Sequence, residues 1–490
     1  VVVGDEDAGH RRGPAARALR GLAEWSAMRI SSMPAVSKAA LAGALALGAA
    51  GAHGRELALA VSAVHAPQAE IRAVALTLRQ QAGTASLAVR AAHVELPLLA
   101  LSGRVDWSCM LERSGGTVGC SGPLQVVADD GRATSATLAA RIGDGRVDVS
   151  FSRGEARVAL SVPFADAQRT TALLRQVPVD WLRAPLAQVQ TAGELRSGVL
   201  DADASWQSGG HVDGRFEARD LAFNTADGAA HGEHLVAAGH FEWQRAGGDG
   251  HLVVSTRFKG GTLQAGTLQV ALPDDAVEAE LDALLRANGD WDIARFHWRD
   301  AGTLEFEANA KLAPAAPAPL RALDLRIIRA RWPGAMRYAG AVLADRGYPS
   351  LRLGGELAGE IVVDEGGLQR VDLHTPGLDI EDRPRRLSLG RLRGGVAWSA
   401  RGTEPAASLA WNAARIAGLE LGPATSRWQS RDGALHLLGA LRVHVAGGAA
   451  TLSQTILRPL PGHDERVDTA FALQGLGYDS ADGTLAAAQI

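Results

Sequence analysis

The chain has 490 residues, with 50 lysine or arginine side chains against 54 aspartate or glutamate side chains and a formal net charge of −4. Such a balance provides no basic surface for nucleic acid, so we expect no DNA or RNA partner. Glycine is abundant (57 residues) and aromatic residues make up only 5% of the chain. That composition is typical of a β-rich protein with many tight turns.

The N-terminal region predicts export. A short positive flank around Met28 and Arg29 precedes the uninterrupted apolar run 39–50, and Ala50-Gly51-Ala52 has the small-x-small pattern of a cleavage site. The run is shorter than the roughly 20 residues of a spanning helix. We therefore interpret 28–52 as a signal peptide or a short signal anchor that places the protein in the periplasm, with inner-membrane anchoring through 28–52 as one form of this prediction. The alternative is an alanine-rich buried helix. Residues 1–27 are interpreted as an over-extended or disordered N-terminus.

From about residue 53 onward the chain alternates apolar and polar residues in short runs separated by glycine-rich turns. One example is Leu200, Ala202, Ala204 and Trp206 on one parity, followed by a turn at 208–210. Because successive side chains of a strand point to opposite faces, this period of two predicts strands with one apolar face. The sequence therefore predicts an all-β, twisted antiparallel meander.

The two cysteines fit an oxidising compartment. Cys109 and Cys120 flank a Ser114-Gly115-Gly116 turn, and a hairpin centred on Ser114-Gly115 would place them directly opposite each other. That separation suits a disulfide, and such a bond is typical of exported proteins. Two buried thiols or a metal pair are the alternatives, but no further cysteine or nearby histidine completes a zinc site.

A few short helices interrupt the predicted strands. They are placed at 166–175, at a turn capped by Asp180, at 274–289 and at 334–344. The Ala/Pro-rich segment 313–319 is predicted to be a linker or wide turn. It divides the β region into a first part, 53–312, and a second part, 320–490, which is expected to be incomplete at its C-terminus. Either a partner protein continues the sheet at that edge or the sequence is a fragment.

The sequence offers no catalytic or metal-binding constellation. His231 and His234 lack the spacing of a zinc-protease pair, and Asp201 and Asp203 lack the glycine and terminal glutamate of a calcium loop. Nucleophile-elbow, phosphate-loop and dinucleotide motifs are absent from the chain. We therefore predict that the protein is not an enzyme, with no catalytic residue, no metal and no cofactor. Carboxylate pairs brought together from distant strands stay open as an exported hydrolase alternative.

Several short sequence segments resemble segments of a known protein family. The segments LGGELAGEI at 353–361, LRGGVAW at 392–398 and LQGL at 473–476 resemble those of the AsmA-like superfamily of bridge-like lipid transport proteins, which includes TamB- and YdbH-type members. The similarity to YdbH-type proteins covers residues 90–490 as a pattern, and those proteins are longer. The resemblance implies a sheet folded lengthwise into an open hydrophobic groove. It also implies phospholipid transport between the inner and outer membranes of Gram-negative bacteria.

The apolar parity predicts which side chains would line such a groove and contact phospholipid acyl chains. They are Leu138, Ala140, Ile142, Val147, Val149, Phe151, Leu160, Val162, Trp206, Phe216, Phe241 and Trp243. The same residues could instead form the dry core of closed sandwiches. A different function, assembly or scaffolding in the cell envelope through exposed strand edges, stays open as an alternative.

Overall fold

The computed structural model describes residues 55–66, 69–81, 83–96, 101–165, 169–182, 193–207, 210–225, 230–265, 268–314, 319–459, 466–480 and 483–488. Its strands form a sheet of 30 strands and a separate two-stranded sheet. The chain divides into two compact units, unit 1 (1–261 with 286–289) and unit 2 (262–285 with 290–490). The predicted signal segment 28–52 and residues 1–27 lie outside the described residues.

Unit 1 is a meander in which each strand pairs with the next in antiparallel orientation. Its strands are β1 (Arg55–Ala66), β2 (Ala69–Gln81), β3 (Thr84–Leu96), β4 (Leu101–Ser114), β5 (Thr117–Ala128), β6 (Ala133–Gly143), β7 (Arg146–Arg153), β8 (Ala156–Pro163), β9 (Thr170–Pro178), β10 (Gly193–Trp206), β11 (His211–Thr225), β12 (Ala230–Ala246) and β13 (Asp249–Lys259). A 3₁₀ helix, Val179–Leu182, follows β9. The predicted all-β antiparallel meander is thereby confirmed.

Unit 2 begins with a short hairpin and then forms a second meander. Its strands are β14 (Thr262–Ala265), β15 (Leu268–Ala271), β16 (Val277–Leu285), β17 (Trp291–Asp300), β18 (Leu304–Leu312), β19 (Leu320–Trp332), β20 (Leu351–Asp364), β21 (Gly367–Asp382), β22 (Leu387–Ser399), β23 (Ala407–Trp411), β24 (Ala413–Ile416), β25 (Leu419–Leu421), β26 (Ala424–Arg431), β27 (Ala434–Leu437), β28 (Leu441–Val445), β29 (Gly448–Leu457), β30 (Val467–Gln474), β31 (Leu476–Ser480) and β32 (Gly483–Ala488). The helix α1 (Met336–Asp345) lies between β19 and β20.

Between β22 and β29 the meander continues with interrupted strands. The pairs β23/β24, β25/β26 and β27/β28 each occupy one strand position, because β22 pairs with both β23 and β24, and β29 pairs with both β27 and β28. A closed core forms here. Leu437, Leu441 and Val443 are buried, and Trp411 and Trp428 pack against them.

Two of the predicted helices are strands, and two are correct. Residues 277–285, placed in a helix, form β16, and residues 170–175 belong to β9. The buried residues of β16 all have odd numbers: Val277, Ala279, Ala283 and Leu285. This alternation is that of a strand, and it differs from the spacing of apolar residues that predicted a helix. The turn after Asp180 is the 3₁₀ helix, and α1 covers most of the helix predicted at 334–344.

The Ala/Pro-rich segment 313–319 connects two strands that pair with each other. Leu312 is opposite Leu320, and the Ala313 amide donates to the Pro319 carbonyl. Both strands belong to unit 2.

Candidate functional site

The apolar face of unit 1 is built from rows of directly paired residues. In an antiparallel sheet, residues opposite each other place their side chains on the same face. The register pairs Leu138 with Phe151, Ala140 with Val149, and Ile142 with Val147. The adjacent pairing places Leu160 opposite Val149 and Val162 opposite Val147. The predicted residues of β6, β7 and β8 therefore share one face.

The same rows continue across β9 to β12. Leu160 pairs with Ala172, which pairs with Ala204, then Gly214 and Phe241. The row of Phe151 runs through Val158, Leu174 and Ala202 to Phe216. Trp206, Val212 and Trp243 form a third row. The structure thus brings all twelve predicted groove residues to one face of unit 1.

None of these twelve side chains is fully buried or fully exposed. The contrast with a closed core is clear in the same chain, where Val443 is 3% exposed and Leu437 is 8% exposed. A packed sandwich core would bury most of the twelve to that degree. At these twelve positions the apolar face of unit 1 is therefore only partly covered by protein, whereas Cys120 and Leu124 on the same face are buried.

The register also extends the face to strands whose residues the sequence reasoning left out. Leu59, Leu76, Val89, Trp107 and Leu124 form a continuous row across β1 to β5. The sequence could have predicted these residues, because each one occupies the apolar position in the apolar–polar alternation of its strand. Leu59 of β1 is 38% exposed, whereas Leu124 of β5 is 8% exposed.

The disulfide lies on this apolar face, in a register that differs from the predicted one. Cys109 and Cys120 are bonded, with their Cα atoms 5.5 Å apart. Cys120 is opposite Leu111 and Ser114 is opposite Thr117, so the two cysteines are diagonal rather than directly opposed. The turn sits at Gly115-Gly116, where Gly115 has φ +61°. A two-residue turn with positive φ matches strand twist, and this shifts the hairpin centre by one residue.

Aromatic rings of the face lie over glycines of neighbouring strands. The Phe241 ring covers Gly214, where an added Cβ would lie 2.9 Å from ring carbons. The Trp243 ring covers Gly250 even more closely. Glycine leaves the space that lets a large ring lie flat against the sheet, so these pairs shape the β11–β13 part of the face.

The 3₁₀ helix covers one part of the face. The Trp181 ring packs edge-on against Phe151, with ring centroids 5.6 Å apart. Val177 and Val179, which flank the end of β9, are 0% and 2% exposed. The chain therefore shields the Phe151 end of its own apolar face.

The opposite face of unit 1 is polar. It carries a depression of about 690 Å³ whose lining includes Asp148, Ser150, Arg157 and Ser161. The Ser161 hydroxyl donates to Asp148 at 2.5 Å. Asp201 and Asp203 also lie on this polar parity, and Asp201 accepts hydrogen bonds from the Gln176 amide and side chain, both at 2.9 Å. The two faces of the same strands therefore differ sharply in chemistry.

Among the described residues there is no group of three or more histidine, cysteine, aspartate or glutamate side chains that could hold a metal ion. His234 lies in β12 and contacts Asp220 at 2.7 Å, and this hydrogen bond raises the pKa of His234.

In the part of the chain that the structure describes, no helix combines the length and apolar character needed to cross a membrane.

Comparison of the chain with protein-family models, with curated proteins and with solved structures finds no match.

Proposed function

We propose that the protein is a periplasmic, bridge-like lipid transport protein that conducts phospholipid between the inner and outer membranes along the apolar face of unit 1. One observation carries this proposal: rows of apolar residues cross consecutive strands of unit 1, and the twelve side chains named above are only partly covered. The resemblance to the AsmA-like superfamily suggests the same function, and so does the predicted export signal.

The energetics of such a face suit transport. Burial of an acyl chain contributes about 0.8 kcal/mol per CH₂ group, so a chain lying across several strands is held firmly. Adjacent strands present similar aliphatic side chains, as with Ile142, Val147 and Val162, which are paired in one row. Movement from one strand to the next therefore exchanges equivalent contacts. No catalytic residue, metal or cofactor is needed for this step.

A second candidate function is envelope assembly through exposed strand edges. Within the described residues, β1 pairs only with β2, and its Leu57 side chain is 43% exposed. Phe471 of β30 is 67% exposed. Unpaired edges with exposed apolar residues can accept a strand from a partner protein.

Tryptophan fluorescence tests the lipid proposal. Phosphatidylcholine vesicles whose acyl chains carry bromine should quench Trp206 and Trp243, because both rings lie on the partly exposed face. Trp206→Phe and Trp243→Phe should each remove part of the quenched signal. Trp398 is 3% exposed in unit 2 and its indole donates to the Gly433 carbonyl, so Trp398→Phe should leave the quenched signal unchanged.

Two neighbouring residues of β7 provide a matched pair of variants. Val149 points to the apolar face and Ser150 to the polar face, and both are half-buried. Val149→Asp should lower bound phospholipid severalfold, because a buried carboxylate without a partner is costly. Ser150→Asp introduces the same charge and should have little effect. Equal lipid binding by the two variants would falsify the proposal, and loss of a protein partner in an edge variant would favour the second function.

A further inference from the structure

Unit 2 has its own apolar face, and an aromatic cluster lies on it. The register pairs Trp298 of β17 with Phe306 of β18. The Phe296 ring lies 5.8 Å from the Phe306 ring and 6.4 Å from the Trp298 ring, measured between centroids. All three aromatic side chains are half-buried. We refer to Phe296, Trp298 and Phe306 as the aromatic cluster of unit 2.

A carboxylate interrupts the same face. Asp300 is opposite Val277 of β16 and Leu304 of β18, and it is only 6% exposed. A buried carboxylate among aliphatic neighbours is costly unless it has hydrogen-bonding or charged partners. Both partners that the structure gives its side chain come from α1. The Tyr338 hydroxyl donates to Asp300 Oδ2 at 2.8 Å, and Arg337 Nη1 lies 3.6 Å from the same oxygen.

The polar contacts with Asp300 attach α1 to β17, and the helix also packs against β15. None of its residues is fully buried, and Val342 is 42% exposed. Its one ring contact places Tyr338 edge-on against Trp298, with centroids 6.0 Å apart. Burial, and next the hydrogen bond to Asp300, raises the pKa of Tyr338, so its hydroxyl stays protonated and remains a donor. Displacement of α1 therefore breaks its contacts with Asp300, Trp298 and β15, but it uncovers no helix side chain that is fully buried.

We propose that α1 is a displaceable cover over a second phospholipid site, in which the aromatic cluster of unit 2 takes an acyl chain and the Tyr338–Asp300 hydrogen bond holds the cover closed. This inference rests on the proposed lipid function. Displacement of α1 removes Arg337 from Asp300 and leaves the carboxylate beside the bound chain. The site therefore favours a zwitterionic head group, whose ammonium can pair with Asp300, over the carboxylate of a free fatty acid.

Amide hydrogen exchange of the full chain without lipid tests whether the Tyr338–Asp300 hydrogen bond, the latch, holds α1 in place. Tyr338→Phe keeps the ring on Trp298 and removes the hydroxyl. Because a hydrogen bond to a charged group is worth about one to two powers of ten in equilibrium, exchange in 336–345 should accelerate roughly ten- to a hundredfold. Tyr348→Phe is the matched control, since that ring stacks under Arg385 and its hydroxyl is not part of the latch. Unchanged amide exchange in the Tyr338→Phe variant would contradict the proposal that α1 is a displaceable cover.

Quenching by bromine-labelled phosphatidylcholine then tests the site. The Trp298 signal, taken as the difference from Trp298→Phe, should be quenched severalfold more in Tyr338→Phe than in the unaltered chain. Bromine-labelled fatty acid should quench it less than the phospholipid does. Suppose that exchange becomes faster and Trp243 is quenched, but Trp298 is not. That result would contradict the second phospholipid site, and the proposed function would remain supported. If neither tryptophan were quenched, the proposed function itself would fail.

Discussion

At the scale of single residues, glycine decides where the aromatic rings of unit 1 can lie. The Trp243 ring occupies the space that a Cβ atom at Gly250 would need, and Phe241 does the same at Gly214. Alternation predicts that Trp243 belongs to the apolar face. It does not predict which glycine the ring covers, because that depends on the register of the next strand.

We expect Gly250→Ala to destabilise unit 1 by about 1–3 kcal/mol, because the added methyl group forces the Trp243 ring to move. Chemical denaturation followed by tryptophan fluorescence measures the change. Gly116→Ala is the control, since Gly116 has open space around it and no positive φ. A loss of stability as large in the control would remove the steric explanation.

Asp300 shows what a residue pattern cannot reveal. The odd-numbered positions of β16 share one apolar face with Phe296, Trp298 and Asp300 of β17. From sequence alone Asp300 reads as the polar end of a strand. Its role depends on Tyr338 and Arg337, which lie more than 35 residues further along the chain and meet it only after α1 folds back.

At the scale of elements, strand type was predictable and register was not. The period of two predicted the all-β antiparallel meander, and the twelve proposed groove residues share one face in the observed register. Where helical and strand spacing competed, as in β16, tertiary pairing with β17 selected the strand. Bulges also change the register without a clear sequence signal, as between β9 and β10, where Gln176 has φ +50° and is held by Asp201.

The β4–β5 hairpin provides a test at this scale. The Cys109–Cys120 bond closes a loop with a sequence separation of 11 residues. Such a loop should stabilise the folded state by about 2–3 kcal/mol. We therefore expect the double variant Cys109→Ser and Cys120→Ser to unfold at lower denaturant concentration than the oxidised protein. Reduction of the unaltered protein should lower its midpoint similarly, and it should leave the midpoint of the double variant unchanged.

At the scale of the whole molecule, transport and storage of lipid make different demands on the apolar face. A storage protein loses bound lipid in proportion to the part of the face that is damaged. A conducting face loses transfer entirely when any one strand is blocked, because each lipid must cross every strand between its entry and exit.

We therefore expect Val149→Asp to lower phospholipid transfer between donor and acceptor vesicles by about tenfold or more, given that every 1.4 kcal/mol added to a barrier slows the step tenfold. Its loss of total bound lipid should be smaller, because the strands on either side of β7 keep their apolar residues. Ser150→Asp serves again as the control. A proportional fall in transfer and in bound lipid would point to storage.

The meander of unit 1 also has a consequence for how such a chain can change in length. Each row crosses the strands at right angles to the backbone, and each strand contributes one residue to it. Adding or removing one hairpin changes the strand count by two and preserves the inward parity of every strand that follows. It alters the length of the face by about 10 Å, twice the spacing between neighbouring strands. Under the proposed function, a chain of this design fits gaps of different width by gaining or losing hairpins.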